Sequence, residues 1–157
     1  MQEVMVDAFK EICTKASPLM NVLEKTGAAK GWSRESFNEV KRFETQVVTT
    51  SIWKVQSASN VSVKVSVATL VDPRKSTASD SEVCTVFAEP YSDPQIEASF
   101  ANALKLNSPV RRVYETESMT RWEPKSSQGP RFAYIEKRKS NGTETTLMTT
   151  RNINRRR

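Results

Sequence analysis

The stretch Asn60-Val61-Ser62-Val63-Lys64-Val65-Ser66-Val67 alternates strictly between apolar and polar residues. A period of two puts Val61, Val63, Val65 and Val67 on one side of an extended chain, and Ser62, Lys64 and Ser66 on the other. The run continues to Val71 and reads as a half-buried strand ended by Asp72-Pro73. Upstream, Gln46 to Gln56 is rich in Val, Thr, Ile and Trp. The short link Ser57-Ala58-Ser59-Asn60 joins the two runs as a hairpin. Downstream, Arg74 to Ser81 is a polar loop and Glu82 to Glu89 a third strand.

Before the strands the period is helical. Met5, Phe9, Ile12, Cys13 and Ala16 mark an amphipathic helix over 3–16. Ser17-Pro18 breaks it, and a short second helix is expected over 18–25, because serine caps well and proline suits the first helical position. Thr26 to Gly31 is read as a connector. Ser36-Phe37-Asn38-Glu39 fits a capping box, so a further helical piece is expected near 34–43, the alternative being the lead-in to a strand.

After the third strand, Asp93 is an N-cap candidate, Pro94 sits at the first helical position and Glu97 lies in the first turn. Ile96, Phe100, Ala103 and Leu104 form one stripe, so an amphipathic helix is expected at about 93–106. Residues 110–122 read as strand or helix, since their faces are polar. Arg131 to Lys139 and Thr143 to Ile153 flank Ser140-Asn141-Gly142, and Asn-Gly between β-rich runs signals a hairpin. A two-residue turn sets Lys139 opposite Glu144. The expected fold is α+β in a single domain, 1–157. It comprises a helical N-terminal region (1–44), an antiparallel sheet with its helix and C-terminal β-hairpin (45–153), and a basic tail (154–157).

Composition excludes several classes of function. The chain has 157 residues, 37% hydrophobic and 27% charged, which suits one domain with a modest core. There is no apolar run long enough to span a membrane, and no secretory signal is visible at the start. Without histidine there is no serine triad, no Cys-His pair and no His-based zinc site. The four glycines form neither a dinucleotide fingerprint nor a phosphate loop. Carboxylate-only catalysis stays open, but nothing fixes Glu115 or Glu117 near a partner. No catalytic residue, cofactor or metal is expected. Cys13 and Cys84 are 71 positions apart and are read as two buried thiols. The sequons at Asn60 and Asn141 are read as coincidence.

Charge is uneven. The net charge is +6, yet residues 1–50 carry seven basic and seven acidic side chains and residues 51–100 carry four and six. Residues 101–157 carry thirteen basic and five acidic, net +8. Such asymmetry points to a polyanion, the alternative being a solvated basic surface. Lys137, Arg138, Lys139 and Arg151 on the last hairpin are RNA-binding candidates, with Trp122, Phe132 and Tyr134 available to stack on bases or to fill the core. The hydroxyl-rich hairpin supplies the others: Thr49, Ser51 and Trp53 on one strand, Ser62, Lys64 and Ser66 on its partner.

From Val47 to Leu106 the order of elements resembles the coat proteins of single-stranded RNA bacteriophages. The runs that carry the resemblance are Val48-Thr49-Thr50-Ser51-Ile52, Asn60 to Val67 and Val83-Cys84-Thr85-Val86-Phe87, then Tyr91-Ser92-Asp93 and the helix from Pro94. The resemblance implies a dimer with a continuous antiparallel sheet that faces RNA inside a shell. It sets the chain in a virion, otherwise in the host cytoplasm, and not among secreted proteins. The leading expectation is therefore a self-assembling, RNA-packaging viral coat protein without enzymatic activity. The alternatives are a nucleic-acid-binding viral accessory or regulatory protein, an α+β cone resembling nuclear transport factor with a small-molecule pocket, and a matrix protein on an anionic membrane surface.

Overall fold

A computed structural model describes residues 2–16, 18–42, 46–55, 61–71, 79–91, 93–105, 110–113, 117–122, 131–140 and 142–155. Its elements run α1 (Gln2–Ile12), α2 (Leu19–Lys30), β1 (Ser33–Arg42), β2 (Gln46–Val55), β3 (Ser62–Val71), β4 (Ser79–Glu89), α3 (Ile96–Leu104), β5 (Val110–Val113), β6 (Glu117–Trp122), β7 (Arg131–Ser140) and β8 (Thr143–Arg155). The fold is α+β. The strands form one antiparallel sheet in the order β1-β2-β3-β4-β8-β7-β6-β5. It is two four-stranded meanders, each preceded by a helix and joined where the last strands, β4 and β8, pair.

The helices cover one face. β3 buries Val63, Val65 and Val67 on that side; β4 adds Val86 and Ala88, β8 Met148 and β7 Ile135. Their register is continuous, Val65 facing Val86, Val86 facing Met148 and Met148 facing Ile135. Onto this layer α1 sets Met5, Phe9 and Ile12, α2 sets Leu19 and Leu23, and α3 sets Ile96 and Phe100. Phe9 meets Phe100 edge to face, with ring centroids 4.9 Å apart.

Three sequence readings change, and one left open is settled. The second helix does not stop at Lys25 but runs through Gly27 to Lys30 and ends on Gly31 in the left-handed conformation (φ 71°). A Cβ at Gly27 would stand 2.6 Å from Trp53 Cε3, so the glycine marks a close approach rather than a turn. The serine cap read at Ser17 lies outside the described residues; Pro18 stands at the N-cap position, and the buried Glu82 carboxylate, from β4, accepts the Leu19 N–H at 2.7 Å. Residues 34–42 are not helical but belong to the edge strand β1, paired along its length with β2, and residue 43 lies outside the described residues. The capping-box pattern is overridden by strand pairing. Residues 110–113 and 117–122 are two short strands, Val110 facing Arg121 and Val113 facing Ser118.

The third change is covalent. Cys13 and Cys84 are not free thiols but a disulfide, Cα atoms 5.4 Å apart, tying the end of α1 to the middle of β4. A separation of 71 positions conceals this, because sequence spacing alone does not tell which cysteines come within bonding distance.

Candidate nucleic-acid interface

The helices leave the second face of the sheet uncovered by any described element. The register assigns it Ser62, Lys64 and Ser66 from β3, Thr85 and Phe87 from β4, Thr149 and Arg151 from β8, and Glu136 and Arg138 from β7. Ser66, Thr85 and Thr149 make a row of hydroxyls across three strands, in which Thr149 is buried and its oxygen shares a hydrogen bond with that of half-buried Thr85 at 3.2 Å. Half-buried Val48, Ile52, Leu70, Val83, Phe87 and Leu147 lie among them.

Five of the ten sequence candidates therefore share one surface: Ser62, Lys64, Ser66, Arg138 and Arg151. Lys64 on β3 and Arg138 on β7 are three strand spacings apart, about 14 Å across the sheet. Each cation stands beside an acid. Lys64 Nζ lies 2.6 Å from Glu35 Oε2, and Glu35 sits where the β1–β2 register shifts at a bulge. Arg138 donates from Nε at 2.8 Å and from Nη2 at 2.6 Å to Glu136 Oε2, whose carboxylate is buried beneath it. Arg151 is exposed.

The other five candidates lie elsewhere. Thr49, Ser51 and Trp53 face Thr69, Val67 and Val65, which puts them on the helix-covered side. Thr49 is half-buried, while Ser51 is 0% exposed and Trp53 7%. Ser51 is satisfied inside: its hydroxyl donates to Glu24 Oε1 at 2.6 Å and accepts from Trp53 Nε1 at 3.1 Å. A buried serine costs little once paired in this way, so these residues hold α2 against the sheet and are not open to RNA. Lys137 and Lys139 alternate with Arg138 and belong to the helix side. Lys137 is half-buried and donates to the Asp93 carbonyl at 3.3 Å; Lys139 is exposed opposite Glu144. The side chains of Trp122, Phe132 and Tyr134, the residues Arg156 and Arg157, and both sequon asparagines lie outside the described residues.

A second polar cluster stands at the start of α3. Asp93 Oδ1 accepts the Gln95 N–H at 2.8 Å, while Oδ2 accepts from Tyr91 Oη at 3.1 Å and Gln2 Nε2 at 3.2 Å. Burial, together with the hydrogen bond to Asp93 and its negative charge, pushes the Tyr91 phenol up to about 12. The chain here is also pinned by Thr146, whose hydroxyl donates to the Tyr91 carbonyl at 2.9 Å. These contacts lock α1, α3 and β8 together, an architectural role. Beside them an open cleft of about 410 Å³ is lined by Gln2, Glu3, Val6, Asp7 and Ser99. Its two acids repel anions, and its openness differs from the deep apolar pocket that a cone-shaped binding protein needs. Among the described residues no group of three His, Cys, Asp or Glu side chains could hold a metal ion, and no helix is long and apolar enough to cross a membrane.

Sequence reading missed Glu24, Glu35, Glu82 and Glu136, the acids that answer these groups. Only Glu136 had a local signal, because two residues apart on one strand share a face with Arg138. No protein-family model matches the chain, and neither does any curated protein or solved structure.

Proposed function

We propose that the chain is a non-enzymatic, self-associating protein that binds RNA on the uncovered face of its sheet, in the role of a viral coat protein. The observation that carries this reading is the gathering of Ser62, Lys64, Ser66, Arg138 and Arg151 on that one face, from three different strands. Hydroxyls and amphipathic cations on a broad sheet suit a flexible single strand, which can lay its phosphates along the cations and its bases against half-buried Ile52, Phe87 and Leu147. The bulk of the attraction is electrostatic and only weakly sequence-specific. Self-association is the part of the reading drawn from the resemblance to phage coat proteins. It is supported by the open outer edge of β1, where Phe37 and Val40 are 47% and 54% exposed.

The test is binding of labelled single-stranded RNA over a salt series, with light scattering on the same samples. Lys64→Ala and Arg151→Ala each lower the salt slope by about one, while Lys139→Ala, on the other side of the sheet, leaves it unchanged. No binding at low salt, or equal slopes for all four proteins, overturns the assignment of the face. A megadalton particle carrying RNA supports the coat role. A small RNA-bound oligomer turns the reading to the accessory protein, which shares the face but builds no shell.

A further inference from the structure

We infer that this chain folds in an oxidising compartment, as the client of a disulfide-bearing oxidant that acts before α1 docks on the sheet. The inference goes beyond the RNA-binding reading and does not depend on it. It also departs from the host cytoplasm expected for a coat protein.

The argument rests on where the bond lies. Cys13 follows α1, its N–H donating to the Phe9 carbonyl at 2.8 Å, and Cys84 is on the helix-covered face of β4. Both cysteines are 0% exposed, as are Phe9, Ile12 and Val67 around them, and Val67 stands directly opposite Cys84 in the sheet. Disulfide exchange needs a thiolate and a clear line of approach to sulfur. A thiol sealed in apolar surroundings resists ionisation, and no external sulfur reaches it. In the folded molecule the bond is thus closed to making and breaking alike. It forms while α1 is still off the sheet and both sulfurs are wet.

The chemistry balances with one co-reactant. The thiolate of one cysteine attacks a sulfur of the oxidant's disulfide, giving a mixed disulfide and releasing the oxidant's other sulfur as a thiolate. The second cysteine, deprotonated, then attacks the chain's own sulfur in that mixed disulfide and expels the oxidant. The pair loses two protons and two electrons; the oxidant gains both and leaves as a dithiol. With two cysteines in the whole sequence there is one possible intramolecular pairing, so no reshuffling is required. A donor of this kind works where protein disulfides persist, outside a reducing cytosol.

Cells of the native source are lysed in N-ethylmaleimide and the chain is denatured and weighed intact. No alkyl group is expected before reduction and two after it. Two alkyl groups without prior reduction overturn the inference. The order of events is tested separately by mixing the reduced chain with oxidised glutathione, folded and in urea, and following bond formation by quenched alkylation. Oxidation is expected to be at least ~100-fold slower in the folded state, where it needs local opening. Equal rates overturn the claim that oxidation comes first. A reduced chain that fails to fold at all supports it, because the bond is then required for docking.

Discussion

Replacing both cysteines, Cys13→Ala with Cys84→Ala, removes the covalent tie between α1 and β4 and tests how much of the stability it supplies. The closed loop spans 71 positions. On the chain-entropy account such a loop restricts the unfolded ensemble by about 4 kcal/mol at 25 °C. Losing the two sulfurs from fully buried sites adds a smaller packing cost, ~1 kcal/mol. Alanine is the right replacement, since serine would leave buried hydroxyls in need of partners. Native domains are stable by about 5–15 kcal/mol, so the loss is a large fraction of the whole. For a chain of this size a total loss of about 5 kcal/mol lowers Tm by roughly 10–20 °C. The assay is urea unfolding followed by far-ultraviolet circular dichroism, with thermal melts alongside. Wild type refolded in reductant should lie within about 1 kcal/mol of the variant, because both lack the bond and only the packing of the sulfurs differs. A loss under about 1 kcal/mol at unchanged urea dependence would refute the loop-closure reasoning and show that the reduced chain is already restricted when unfolded.

Three further outcomes follow from single contacts. Gly27→Ala sets a methyl against the Trp53 ring at 2.6 Å, and the indole cannot retreat while Ser51 holds its N–H, so the overpacking costs about 1–3 kcal/mol despite the ~1 kcal/mol gained in helix propensity; a raised urea midpoint would count against the close approach. Glu82→Ala strips the acceptor from the Leu19 N–H and costs about 1.5–3 kcal/mol by the same unfolding assay, whereas Glu82→Gln, which keeps an oxygen there, costs less than half as much; equal losses would remove the capping role. In an absorbance titration Tyr91 ionises near 12, later than an ordinary phenol at 10, and Asp93→Asn brings it partway down, burial remaining as the larger cause. Because the folded pKa is raised, the contribution is intact below pH 10 and is lost as pH climbs from 10 through 12; a Tyr91→Phe variant whose stability falls over that range as steeply as wild type would contradict this.

What could be read in the sequence depended on how cleanly a segment's period chose a face. Val61 to Val67 alternates without exception, so the strand and the outward set Ser62, Lys64 and Ser66 were both legible. β2 carries β-branched residues on both sides, Val48, Thr50 and Ile52 against Val47, Thr49 and Val55, and its period names no inner face. The packing of α2, with Glu24 ready for Ser51, makes the choice. β1 has polar residues on either side because it is an edge, and its Ser36 and Glu39 imitate a helix start. Gly27 looked like a stop for want of knowledge of Trp53. The acids beside the candidate cations illustrate the same limit. Glu35 reaches Lys64 across two strand pairings and Glu82 reaches α2 across 63 positions, so neither contact exists until the sheet is assembled.

The joining of the two meanders has a kinetic consequence. Within each meander every strand pairs with its neighbour in sequence, so six of the seven pairings are hairpin-like contacts that close over short loops. The β4–β8 seam alone is remote, with Ser79 facing Arg155 and Ala88 facing Thr146, separations of 76 and 58 positions. Closing it has the largest entropic cost of any strand pairing, and it brings Val86 and Met148, the middle of the shared core, together in one step. Among the strand pairings, the slowest to close is thus expected along a single line of residues down the centre of the sheet.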